Sequence, residues 1–200
     1  MVDLIKNEDV MKNPGPVLSP ERQADLSRMG RVAAGDRLEM KSVFEDFSGP
    51  LGSFVKNWLA NPHDAADVVS EVMMEVWKNA NRYGGRAALR TWIFTIARNK
   101  AVDHNRKGSR LHYTDQVPDT PDLAKGAVDV IASSQDSTVL KAAIETLSPP
   151  HRRAIHLAFF EDMTYSEIAL IEDCPVGTIK TRILHAKKLL MREVVKHGRN

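Results

Sequence analysis

Thr178, Lys180, Thr181, Arg182, His185 and Lys188 share one stretch of chain with Val176, Ile179, Ile183, Ala186 and Leu190, which recur at helical spacing. Groups of this kind suit recognition rather than bond-making. Lys and Arg neutralise phosphates, while Thr, His and Lys offer donors and acceptors to base edges. Gly177, Thr178, Thr181, His185 and Lys188 lie roughly opposite the apolar stripe, flanked by Lys180 and Arg182. Just upstream, Thr164-Tyr165-Ser166-Glu167 has capping-box spacing and opens a short helix to Ile171. Glu172-Asp173-Cys174 is a turn, and Pro175 suits the entry to the next helix. A short helix, a tight turn and a longer helix with a basic, hydroxyl-rich face fit a reader of the major groove. Other amphipathic helix pairs share this pattern, so by itself it leaves a plain structural pair open.

A second group precedes it. Asp64 is placed to cap a helix whose Ala65, Val68, Val69, Val72, Met73, Val76 and Trp77 form a buried face. Asp67, Glu71, Met74, Glu75 and Lys78 lie on its other side, and Tyr83-Gly84-Gly85 ends it. A further helix, from about residue 87 to 106, buries Leu89, Trp92, Ile93 and Ile96 and points Arg90, Thr91, Arg98 and Asn105 away. From Arg86 to Arg110 seven bases face one acid, and from Val176 to Asn200 again seven face one, although the whole chain carries only +2. Such local excesses attract a polyanion, or are merely solvated helix faces.

Bond chemistry finds little support. There is no Gly-rich phosphate loop, no metal-ligand cluster and no nucleophile–base pair; His151 and His156 miss the i, i+4 spacing of metal-binding helices. Cys174 is alone, which excludes an intramolecular disulfide and a cysteine-only metal site. The expectation is no enzyme, no cofactor and no metal. With no charged-then-apolar leader and no apolar run near ~18 residues, a cytoplasmic protein without membrane insertion is expected.

Two hundred residues, 42% hydrophobic and 27% charged, allow one domain or two small ones. Residues 1–27 read as a flexible extension, because Asn13-Pro14-Gly15-Pro16 and Ser19-Pro20 break helices. A helical domain is set at 28–107; from Met40 to Trp58 its apolar residues step by three and four, with a kink or short break at Gly49-Pro50. Residues 108–134, with Pro118, Pro121, Gly126 and several aspartates, cannot offset their ordering entropy and read as a flexible acidic linker. A second helical domain occupies 135–196, with Ser148-Pro149-Pro150 both ending one helix and starting another. The fold class is all-α, two small helical domains on a linker.

Asp64 to Glu71, Tyr83-Gly84-Gly85 and Arg90 to Asn99 resemble region 2 of bacterial extracytoplasmic-function (ECF, group 4) sigma factors of the sigma-70 family. Leu147-Ser148-Pro149, Tyr165 to Ala169 and Cys174 to Arg182 resemble their region 4. The resemblance covers about residues 38–190, with two motif blocks in the family's order. It implies a promoter-recognition subunit of RNA polymerase, acting in a stress or environmental response under an anti-sigma factor. Asp67, Glu71, Met74 and Glu75 would then dock on the clamp of the polymerase's largest subunit. Asn81, Tyr83, Arg86, Arg90, Arg98 and Asn105 would hold the melted −10 element, which needs a base pocket and cations for the strand. Lys180, Thr181 and His185 would read the −35 element, with Thr178 beside them and Arg182 and Lys188 nearer phosphates.

The chain departs from the family in two places. Glu172-Asp173 stands where Leu-Gly is common; Asp tolerates left-handed geometry, but Glu172 puts a charge where an apolar contact is usual. His185 stands where Arg is common. The alternative is a stand-alone helix-turn-helix regulator binding an operator as a dimer, against which the acidic and basic helices count, since neither forms an apolar self-complementary seam.

Overall fold

The computed structural model describes residues 18–59, 61–108 and 137–197. Every regular element among them is a helix. The linker expected at 108–134 lies almost entirely outside these residues, as do residues 1–17.

The first helix, α1 (Pro20–Ala33), corrects the expectation of a flexible segment up to residue 27. Ser19 accepts from the Arg22 N–H and Pro20 occupies the first turn, so the dipeptide read as a breaker is a start signal. Gly35, at φ +91°, turns the chain into α2 (Arg37–Lys56). There Asp36 caps the N–H groups of Leu38 and Glu39. Glu39 sits between Arg28 and Arg31, at 3.0 and 2.7 Å, pinning the two helices together. Of the kink or short break expected at Gly49-Pro50, the break does not occur: α2 is one continuous helix across it. Gly49 offers no Cβ to crowd the proline ring, and buried Phe47, Leu51, Phe54 and Val55 anchor both sides.

A 3₁₀ turn, Pro62–Asp64, leads into α3 (Ala65–Lys78). Asp64 holds the N-cap position but caps nothing; its carboxylate takes the Asn61 amide and the His104 ring instead, each at 3.0 Å. Val68, Val72 and Val76 of α3 close over Phe54 of α2 and over Ile93, Phe94 and Ala97 of α4 (Leu89–Gly108). The Phe54 and Phe94 rings lie 5.1 Å apart at the centre of this core. Complete burial of each such ring contributes about 1.5–3 kcal/mol.

The second bundle comprises α5 (Ser137–Glu145), α6 (Pro149–Phe159), α7 (Tyr165–Glu172) and α8 (Val176–His197). Thr164 and Glu167 form the expected capping box. Asp173 takes the left-handed conformation, φ 55°, and its N–H closes on Ala169. Leu157, Ile168, Ile171, Ile179, Ile183 and Ala186 build the core under the helix-turn-helix. Val176, expected in the buried stripe, is exposed at the helix entry.

The bundles touch. Helix α7 lies along α4, and α6 approaches the end of α2. His156 stacks over Phe54, and the Arg153 guanidinium covers the Trp58 ring at 3.6 Å.

Candidate nucleic-acid interface

On α8, Thr178, Thr181, His185 and Lys188 follow three- and four-residue steps along one side, with Lys180 beside them. Lys180 and Lys188 are exposed; Thr178, Thr181 and His185 are half-buried. The Thr181 hydroxyl donates back to the Gly177 carbonyl at 3.1 Å, and the His185 ring lies 6.1 Å from that of His151.

Arg182 corrects the expectation of an outer-face cation. It is 4% exposed and points inward to Glu172 at 3.2 Å. Arg153 grips the same carboxylate from α6 with two nitrogens, Nε at 3.0 Å and Nη2 at 3.1 Å. The charge that looked misplaced in the turn therefore pairs with two buried guanidiniums, and α6, α7 and α8 are tied at one point.

The loop from the 3₁₀ turn Ala80–Arg82 to Ala88 presents Asn81 and Arg86 to solvent. Tyr83, expected at the DNA, is instead buried inside the loop. Its hydroxyl donates to the Ala87 carbonyl at 2.9 Å, with Asp25 Oδ2 at 3.4 Å from the same oxygen. Burial first, and then the Asp25 charge, push this phenol up to about 12. Asn105 is also turned inward: its amide donates to the Trp58 carbonyl at 2.6 Å and ties α4 to the end of α2.

Thr91, expected to point away from its core, does so but is covered by the second bundle. Its hydroxyl donates to Glu167 at 3.1 Å. Burial raises the Glu167 carboxyl, but hydrogen bonds from the Thr164 backbone and hydroxyl and from Thr91 outweigh it, leaving the group below its ordinary value. Arg90 pairs with buried Glu161. Arg98 reaches Asp173 at 3.8 Å and lies over the Trp58 ring. Acids of α7 and its flanking turns thus occupy the outer face of α4, where a nucleic-acid strand would need the same cations.

Helix α3 turns Asp67, Glu71 and Met74 to solvent. Glu75 is half-buried, held by Asn79 at 2.5 Å and by Lys100 at 3.3 Å. Glu71, Lys100, Asp103, His104 and Arg106 line a cleft of about 290 Å³. Its charged lining lacks the apolar walls of a small-substrate site. No cluster able to hold a metal occurs among the described residues.

Sequence reasoning missed Arg22 and Asp25 of α1, which hold the loop, and Arg153, Glu161 and Glu167, which face α4 and α2. For α1 the signal was present: Ser-Pro-Glu at one end, Gly35 at the other, and Met29 and Val32 at helical spacing. Nothing local marks the others, because their partners are distant in sequence.

A helical bundle with basic side chains along α4 and its loop, followed by a helix-turn-helix with a basic, hydroxyl-bearing face, has the build of a two-part helical nucleic-acid binder. The family model "Sigma-70 region 2" matches residues 43–111, and "Sigma-70, region 4" matches residues 137–190. The chain is 34% identical over 155 residues to the ECF RNA polymerase sigma factor RpoE of Cereibacter sphaeroides, covering 74% of this chain and 82% of that protein. It is 26% identical over 177 residues to the ECF RNA polymerase sigma factor SigW of Bacillus subtilis, covering 84% and 95%. Among solved structures, the sigma factor RpoE in complex with the anti-sigma factor NepR from Bartonella quintana is 28% identical, with TM-score 0.55, over 78% of this chain and 96% of that one. CnrH in complex with the cytosolic domain of CnrY shares the fold at TM-score 0.58 and 18% identity, over 84% and 96%. The chain belongs to the ECF RNA polymerase sigma factors.

Proposed function

We propose that this chain, as an alternative sigma factor, binds core RNA polymerase and directs it to a particular set of promoters, without catalysing a reaction itself. The observation that carries this reading is the family membership, supported by basic and hydroxyl side chains on α4 with its loop and on α8, and by exposed Asp67 and Glu71 on α3. Residues 28–107 act as region 2 and residues 135–196 as region 4, across the linker at 108–134. Asp67, Glu71, Met74 and Glu75 meet the clamp of the largest polymerase subunit. Asn81, Arg86, Arg90 and Arg98 receive the melted −10 strand, with Tyr83 and Asn105 shaping the scaffold beneath. Lys180, Thr181, His185 and Lys188 read the −35 duplex, with Thr178 beside them and Arg182 holding the helix from inside.

Two modest DNA contacts joined through one polymerase become specific because the second binds at high effective concentration. The arrangement of α4 against α7 belongs to the free protein, since promoter strand and α7 need the same face of α4. An anti-sigma factor holds the chain inactive until an environmental signal; the Bartonella quintana RpoE in complex with NepR supports this partner. The work takes place in the cytoplasm, where polymerase and promoters meet. None of the described helices is long and apolar enough to cross a membrane.

The test is transcription by purified core polymerase with and without the chain on genomic templates. Promoter-specific transcripts that need the chain are expected. Tight operator binding by the chain alone, with no effect on polymerase, would sink the proposal.

A further inference from the structure

We infer that α1 is a clasp that presets the −10 loop, and that Arg22 and Asp25 are positioning residues for base recognition. The inference rests on reading Asn81–Ala88 as the loop that receives the melted strand.

Three residues on one face of α1 reach that loop. The Arg22 guanidinium donates through Nη1 to the carbonyls of Gly85 and Arg86, at 3.1 and 2.5 Å. Asp25 Oδ2 accepts the Leu89 N–H at 3.0 Å, so a residue 64 positions away supplies a cap that α4 would otherwise take from its own flank. Leu26 fills the space beside Gly85: a Cβ built there would meet Leu26 Cδ1 at 2.9 Å. Gly85 is also at φ +67°, where an L side chain is strained.

These contacts act on backbone, so they fix where the loop runs whatever base approaches. They leave Asn81 and Arg86 exposed on the other side. A loop of this length held only at its ends would lose conformational freedom when a base enters, and that cost would fall on recognition. Holding it beforehand leaves the difference between correct and incorrect bases to the pocket. Arg22 and Asp25 touch no nucleotide in this scheme; they act through two carbonyls, the Leu89 N–H and the Tyr83 hydroxyl.

The experiment is transcription by the full-length chain with core polymerase on a promoter library randomised at the −10 and −35 elements, each template carrying a transcribed barcode. Wild type should enrich one preferred sequence at both elements. Asp25→Ala and Arg22→Ala should lose about three- to tenfold of the −10 enrichment, the range for one or two lost hydrogen bonds to enclosed groups, and keep the −35 enrichment. Asp25→Asn, which retains an acceptor for the Leu89 N–H, should recover most of the loss. Val32→Ala, a core change in the same helix, serves as the stability control and should lower the melting temperature without altering −10 selectivity. If Asp25→Ala does not fold, Arg22→Ala, which removes a half-exposed side chain, carries the comparison.

Undiminished −10 enrichment in the folded alanine variants overturns the inference. So does an equal loss at −35, or the same −10 loss in Val32→Ala. Wild type enriching neither element would overturn the promoter reading and this inference together; wild type enriching both while the variants match it overturns the inference alone.

Discussion

Glu172 accepts from two guanidiniums inside the second bundle, and its side chain is 1% exposed. Removing one member of such a group leaves uncompensated charge where water does not reach. Glu172→Gln should destabilise the second bundle by about 3–5 kcal/mol, seen as a lower urea midpoint. The sequence announced the charge but not its partners: periodicity places Arg182 on the flank of α8, and Arg153 is 19 positions from Glu172. The left-handed Asp173 was legible, because Asp tolerates that region without help from distant residues. Tyr83 makes a second prediction at this scale. Its folded pKa, about 12, lies above the ordinary 10.0, so the protonated phenol contributes stability that is complete below pH 10 and is lost as pH rises through about 12. Tyr83→Phe should remove that alkaline limb from a plot of melting temperature against pH.

At the scale of elements, most helices from α2 to α8 were legible from apolar spacing; α4 and α7, whose apolar period is weak, were placed with the help of flanking signals, Tyr83-Gly84-Gly85 before one and the Thr164–Glu167 capping box before the other. The error at α1 arose from treating Ser19-Pro20 as a break when proline in a first turn is a beginning. The uninterrupted α2 shows the opposite case, in which packing on both sides of Pro50 overrides a local breaker. Gly85→Ala tests the seam between α1 and the loop at residues 81–88. The positive φ and the crowding by Leu26 should cost about 1–3 kcal/mol, read as a lower melting temperature. On α3, reversing Asp67 and Glu71 to Lys should weaken binding to core polymerase about tenfold or more, with helicity unchanged by circular dichroism. That face was easy to find, because exposed acids opposite a Val-rich stripe need no tertiary knowledge. The outer face of α4 was found only in part: direction follows from helical period, but what covers it does not.

In the molecule as a whole, ion pairs and one hydrogen bond among the described residues cross between the two bundles. Arg90, Thr91 and Arg98 meet Glu161, Glu167 and Asp173 across the two bundles. Salt weakens the outer Arg98–Asp173 pair more than the enclosed Glu161 and Glu167 contacts, so the radius of gyration from X-ray scattering should rise only slightly with ionic strength. Glu161→Gln combined with Glu167→Gln should produce a larger expansion at low salt; an unchanged radius would refute charge as the latch. Arg153 sits on both sides of this seam, bound to Glu172 within its own bundle and lying over Trp58 of the other. The Trp58 indole N–H is enclosed without a hydrogen-bond partner among the described residues. Separation would uncover the ring and admit water to that N–H, while Arg153 stayed with its carboxylate. The molecule thus carries its own optical gauge. With Trp77 and Trp92 replaced by Phe, the emission of Trp58 should move to longer wavelength as the bundles part, timing the event without an added dye.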